Sequence, residues 1–207
     1  MTRFPTFLSC ALICAALPAL AQDNQLYQDP ADPDASFVRI VAPDETLAVV
    51  AGKTFDAVEG GMTPYVMVMA GPVSVAVGDL AGEGEIEPAS FYTFVRGVDG
   101  GLHMVQDAIT NSPAQADLVF YNLSDLPLVD LFVPSVNAMA MEEIAQNTSR
   151  QVTLKAPLTL DFEIRDDSAT LASVTALKMR RRAGATVIFS GSAGNYSAYS
   201  AENLYAN

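Results

Sequence analysis

Within 207 residues the chain carries one histidine, His103, set between Leu102 and Met104. A hydrolase or acyltransferase triad would have to use it as the base, because taking a proton from a serine hydroxyl needs a group that titrates near working pH. The other members of a triad are missing, with neither a G-x-S-x-G elbow nor a Gly-Asp-Ser block followed by Asp-x-x-His. His103 therefore reads as a surface or edge residue. The Gly82-Glu83-Gly84-Glu85 run has no lysine and no helix after it, so it reads as a turn and not a phosphate cradle. The acidic pairs Glu142-Glu143 and Asp166-Asp167 would need to act as acid and base together. Neighbours on a strand point to opposite faces, which leaves them as solubilising charge. One basic group stands against the acidic background: Lys178, Arg180, Arg181 and Arg182. Guanidinium groups at 180–182 suit carboxylates, so they make an interaction candidate for a uronate polymer or an acidic protein face. The alternative is a hairpin tip that neutralises nearby aspartates.

Compartment follows from the first residues. Arg3, the apolar stretch 4–20 and the small-x-small triplet Ala19-Leu20-Ala21 have the form of a secretory signal peptide, 1–21, cleaved after Ala21. The uncharged run is short for a membrane span and is interrupted by Pro5 and Pro18. Cys10 and Cys14 leave with it, so no disulfide framework, thiolate metal site or cysteine nucleophile is expected afterwards. No cofactor and no metal are implied. The formal charge is −13 for the chain and becomes −14 without Arg3. Such a surface repels phosphate backbones, which excludes nucleic acid as a partner. No later segment has the length and apolarity of a transmembrane helix, so the expected location is the periplasm.

Residues 22–35 (QDNQLYQDPADPDA) hold little to bury and read as an extended leader. Asp29, Asp32 and Asp34 lack the glycine and distal glutamate of a calcium loop. From Ser36 onward short β-rich runs recur about every ten residues between turn signals, with no sustained helical period. The expected strands are 37–41, 47–51, 64–70, 73–77, 91–96 and 102–105, then 118–121, 128–133, 151–155, 158–165, 169–175 and 186–190. Leu158, Leu160, Phe162 and Ile164 alternate with Thr159, Asp161, Glu163 and Arg165, the mark of a half-buried strand. Segment 136–145 (VNAMAMEEIA) fits either a strand or a short helix.

The pattern restarts midway. SFVRIVAPDETLAVV at 36–50 and DLVFYNLSDLPLVDLFVP at 117–134 share a strand, a polar break and a second strand, at an offset of 81 residues. Val73, Val75 and Val77 match Leu158, Leu160 and Phe162 at 85, and Tyr92 to Gly97 match Thr186 to Gly191 at 94. Three matches in one order point to duplication. The fold class expected is all-β: two tandem β-sandwich, immunoglobulin-like domains at 36–107 and 117–207, joined by a short linker at 108–116 (AITNSPAQA).

Three segments resemble a known family, the alginate biosynthesis protein AlgF. LYQDPADPDASFVRIV (26–41) is similar to the start of its mature chain, FYTFV (91–95) to an aromatic strand of its first domain, and LVFYNLSD (118–125) to the opening of its second. The chain is more acidic than that family's pattern and carries the methionine-rich segment 136–145. The resemblance implies a non-catalytic periplasmic adaptor for O-acetylation of an alginate-like exopolysaccharide. Its partners would be other proteins of the acetylation machinery and, through the basic cluster, an anionic polysaccharide. Two rivals remain: an exported carbohydrate-binding module using Tyr196, Tyr199 and Tyr205, and an atypical acyltransferase or esterase.

Overall fold

The computed structural model describes residues 33–56 and 61–206. The signal peptide and leader up to residue 32 lie outside the described residues. The described residues fall in one compact unit, and every long element among them is a strand, as the recurring turn signals required. Four sheets account for them. Sheet I orders β3 (Lys53–Phe55), β2 (Ala48–Val50), β5 (Gly71–Val77) and β6 (Leu80–Ile86). Sheet II orders β17 (Tyr205–Ala206), β4 (Tyr65–Val68), β1 (Ser36–Val41), β7 (Phe91–Arg96) and β8 (Leu102–Asp107). Sheet III is β12 (Thr148–Lys155), β9 (Gln115–Ser124), β15 (Ala185–Ser192) and β16 (Asn195–Glu202). Sheet IV is β11 (Ala138–Ala145), β10 (Leu128–Val133), β13 (Leu158–Asp166) and β14 (Ala169–Met179).

Period-two alternation decides how these sheets stack. On β1, Val38 and Ile40 enter the core between sheets I and II with Val73, Val75, Val77 and Phe94. Val41, on the opposite face, joins Val95, Val119, Tyr121, Leu123 and Ile188 in a smaller core between sheets II and III. On sheet III, Leu118, Phe120, Val187 and Phe189 turn the other way to meet Leu131, Phe162 and Ile164 of sheet IV, in the largest core. Sheets II and III are thus buried on both faces, which explains the near-continuous apolar runs on β1, β9 and β15.

Strand order bears on the repeat. Adding eight to each strand number of β3-β2-β5-β6 gives sheet IV, and β4-β1-β7-β8 becomes sheet III in the same way. The parallel contact of β1 with β7 recurs between β9 and β15. The match at 85 keeps faces in step, since Val77 and Phe162 both point into a sandwich core. The matches at 81 and 94 do not. Val38 and Phe94 are inside the first sandwich, whereas Val119 and Ile188 lie between sheets II and III. Those two alignments are one residue out of register, and a one-residue slip exchanges the faces of a strand.

Several elements differ from the sequence expectation. Gly82 to Glu85 lie within β6, paired along β5, and not in a turn. Gly82 sits close to Phe94 and Leu102, and Gly84 to Met104, so a strand without side chains there lets sheet II approach. Gly71 and Pro72 open β5 where a turn was expected. Asn122 and Ser124 do not break β9, because the Asn122 side chain bonds the Leu126 and Ile144 carbonyls and accepts from Ser124. Segment 136–145 resolves into a 3-10 turn at Pro134–Val136 and the strand β11. Asp166 ends β13 and Asp167 occupies the following turn with φ of 52°, so this pair is not carried on one strand.

Phe162 is fully buried in the III–IV core. Phe162→Ala should lower unfolding free energy by about 3–5 kcal/mol, read as a fall in the denaturation midpoint with an unchanged far-ultraviolet spectrum at low denaturant.

Candidate interaction surface

Between sheets II and III the small apolar core surrounds a polar cluster built on Arg39. Strand alternation sends Arg39 toward sheet III, where it is fully buried. A guanidinium there keeps its charge only if its N–H groups find acceptors. The Nε group donates to Thr93 Oγ1 at 3.0 Å. Nη1 donates to Asn203 Oδ1 at 2.9 Å and also meets Met62 Sδ. Nη2 donates to the Tyr121 hydroxyl at 3.1 Å and Thr186 Oγ1 at 3.0 Å. The Arg39 guanidinium also lies 4.2 Å from the centre of the Tyr65 ring.

The acceptors pass the bonding on. Thr93 donates to Asp107 Oδ2 at 2.5 Å, Tyr65 to the same oxygen at 2.9 Å, and Tyr121 to Asp107 Oδ1 at 2.5 Å. Thr186 donates to Asn203 Oδ1 at 2.6 Å. Arg39 and Asp107 are thus opposite charges joined through hydroxyl groups, drawing on β1, β4, β7 and β8 of the first half and β9 and β15 of the second. Burial alone would depress the Arg39 pKa; Tyr121, Tyr65 and Asp107 outweigh it and hold the guanidinium above its ordinary value. Burial chiefly raises the Tyr65 and Tyr121 phenols, disfavouring their anions.

Two grooves flank this buried seam. One of about 400 Å³ lies between the approach to β4 (Met62, Thr63, Pro64) and β16 with Leu204. The other, about 460 Å³, is polar, lined by Arg96, Asp44, Ser190, Ser192, Asn195 and Ser197 among others. Arg96 is paired with Glu45 beside it. Beyond the cover of sheet III, sheet II shows a row of rings: Phe37 stacks on Phe91 at 4.9 Å, and Tyr205 packs against Phe37 and Tyr65. Met67, Leu204 and Tyr205 leave this edge apolar and exposed.

The residues singled out from sequence fall in different places. Arg180, Arg181 and Arg182 occupy the exposed turn between β14 and β15. Arg180 pairs with Glu202 at 2.8 Å, Arg181 Nε donates to the Ala156 carbonyl, and Arg182 has φ of 59°. His103 is on β8, half exposed, and its Nε2 meets Asp99 at 2.9 Å. That contact lowers the Asp99 pKa. The three tyrosines do not form one flat patch: Tyr196 packs on Phe189 and bonds Asp125, Tyr199 points to the opposite face of β16, and Tyr205 is on sheet II. Arg39 was missed, although a charged residue inside the apolar run FVRIV is the signal that marks it.

Compared with known protein families and with characterised proteins, the sequence matches no family model and no characterised chain.

Arg39→Met leaves Asp107 buried without its counter-charge and should cost about 3–5 kcal/mol, part of it recovered when Asp107→Leu is added; a denaturant double-mutant cycle measures this. Because Tyr65 and Tyr121 titrate higher when folded than their ordinary value of 10.0, the unfolded chain loses these protons first. Stability should therefore hold below about pH 10 and decline as pH rises beyond it. Midpoints collected from about pH 8 to about pH 11 should show that decline, and Tyr121→Phe should flatten it.

Proposed function

We propose that this protein is a non-catalytic, exported adaptor that supports O-acetylation of an alginate-like exopolysaccharide by binding other proteins of the acetylation machinery in the periplasm. One observation carries the reading. The three segments that resemble the AlgF family each contribute a residue to the same buried cluster: Arg39 from FVRIV, Thr93 from FYTFV and Tyr121 from LVFYNLSD. The segments through which the chain resembles that family thus each supply a side chain that joins its two halves, which favours a like architecture and a like role. A body with sheets joined at a polar seam keeps its outer edges in constant relation, which suits holding partners in register. The grooves and the apolar edge at Met67, Leu204 and Tyr205 are where such partners would seat.

Deleting the gene tests this directly. Acetyl ester content of the secreted polymer should collapse while polymer yield stays near normal, and wild-type protein supplied in trans should restore it. Unchanged acetylation rejects the proposal. Acetyl-ester turnover by the purified protein favours the acyltransferase or esterase alternative.

A further inference from the structure

The open edges of the four sheets are not alike. β6 carries Glu83 and Glu85, β12 carries Arg150 and Lys155, and β11 is broken by register shifts and bears Glu142 and Glu143. The edges β3 and β17 are three and two residues long, and β8 ends in the inward-pointing Asp107. Charges, bulges, short strands and inward acids are the devices that keep sheet edges from pairing with other chains. β16 is the least guarded: of its eight residues only the last, Glu202, is charged, and it has neither a bulge nor a proline.

Hairpin geometry says which of its backbone groups are available. The turn Ala193-Gly194 has both φ values positive, 51° and 85°, so Ser192 and Asn195 form the closing hydrogen-bonded pair. Alternation then turns the N–H and C=O of Tyr196, Ala198, Ser200 and Glu202 away from β15. The bond from Asn203 N to the Gly184 carbonyl keeps that phase. No backbone bond from a described residue reaches Tyr196, Ala198 or Ser200 on that side.

Charge says what kind of strand fits. β14 forms the edge of sheet IV beside β16, and together they are acidic at one end and basic at the other. Near Tyr196 stand Asp125, 2.8 Å from its hydroxyl, and Asp166, whose field acts on the same phenol. Near Glu202 stands Arg180, paired with it and exposed, and Lys178 lies two residues earlier, exposed on β14. The two ends are six residues apart along the strand, roughly 20 Å. A second copy laid parallel would set like charges together, whereas one laid antiparallel sets each acidic end against a basic one.

We infer that two copies of this chain join edge to edge through β16, antiparallel about a two-fold axis at Tyr199, with Asp125 and Asp166 of each copy facing Lys178 and Arg180 of the other. In that register Ala198 opposes Ser200 of the second copy and Tyr196 opposes Glu202, so every outward backbone group named above is paired, and the contact is self-complementary as a two-fold requires. This goes beyond the adaptor reading and does not depend on it.

The purified exported protein should show a reversible monomer–dimer equilibrium by sedimentation velocity. Arg180→Glu should weaken it about tenfold or more, and adding Asp166→Arg should restore it, since each copy then offers the swapped pair. Ser200→Pro removes an outward N–H that no bond within the sheet uses, and should also weaken dimerisation. Tyr199→Cys, at a non-hydrogen-bonded pair with Cα atoms about 4.5 Å apart, should cross-link on mild oxidation, whereas Met67→Cys on sheet II should not. Circular dichroism confirms that each variant is folded. A protein that stays monomeric to about 0.5 mM overturns the inference, as does a dimer indifferent to both Arg180→Glu and Ser200→Pro, or one cross-linked through position 67 and not 199. If copies stay apart while Ser200→Pro abolishes capture of a different protein, the edge serves a heterologous strand and the two-fold is wrong.

Discussion

A guanidinium held away from water constrains everything packed around it. Arg39 has five N–H groups to satisfy and a charge to balance, and the groups that do so come from both halves of the chain. Sliding sheet II over sheet III by one residue would withdraw Tyr121 or Thr186 and leave the charge exposed to hydrocarbon. Apolar contacts such as Val41 against Ile188 tolerate such a slide far better, because dispersion and burial are not directional. The polar seam therefore specifies register, and the apolar residues around it supply adhesion. Asp107 closes the arrangement from the last residue of β8, where the chain leaves the first half.

The repeat and the seam act against each other in an informative way. Two halves with one strand order would present similar outer sheets and could pair in more than one way. Arg39 faces the seam from one half only, while the second half answers with Tyr121, Thr186 and Asn203. That inequality selects one arrangement. The C-terminal residues reinforce it: after β16 the chain crosses back, Asn203 bonds Arg39, and Tyr205 and Ala206 add a strand beside β4. The halves are laced together as well as stacked.

Function is left to the periphery. Sheets II and III are largely covered on both faces, so other molecules meet the outer faces of sheets I and IV, the edges, the grooves and the end loops. The two grooves open where the halves meet, and their walls are set by the same register that Arg39 enforces. A change at the seam would thus alter surfaces it does not touch.

Alternation within single strands was legible from residue types: Leu158 to Arg165 lies as its pattern required, and the β-rich runs on β1, β7, β9 and β15 are strands. The order of the repeat could be read as well. Its register could not, because β1 and β9 are apolar on both faces and a continuous run carries no phase. Gly82 to Glu85 resembled a turn until Phe94 and Met104 of the neighbouring sheet supplied the reason for small residues. β16, poor in branched side chains, owes its strand to pairing with β15. The sequence by itself determined that the chain would form short strands in layers, since period and composition act between neighbouring residues. Only the tertiary structure decided the role of Arg39, because the charge and hydroxyl groups that make its burial tolerable lie as far as 164 residues away.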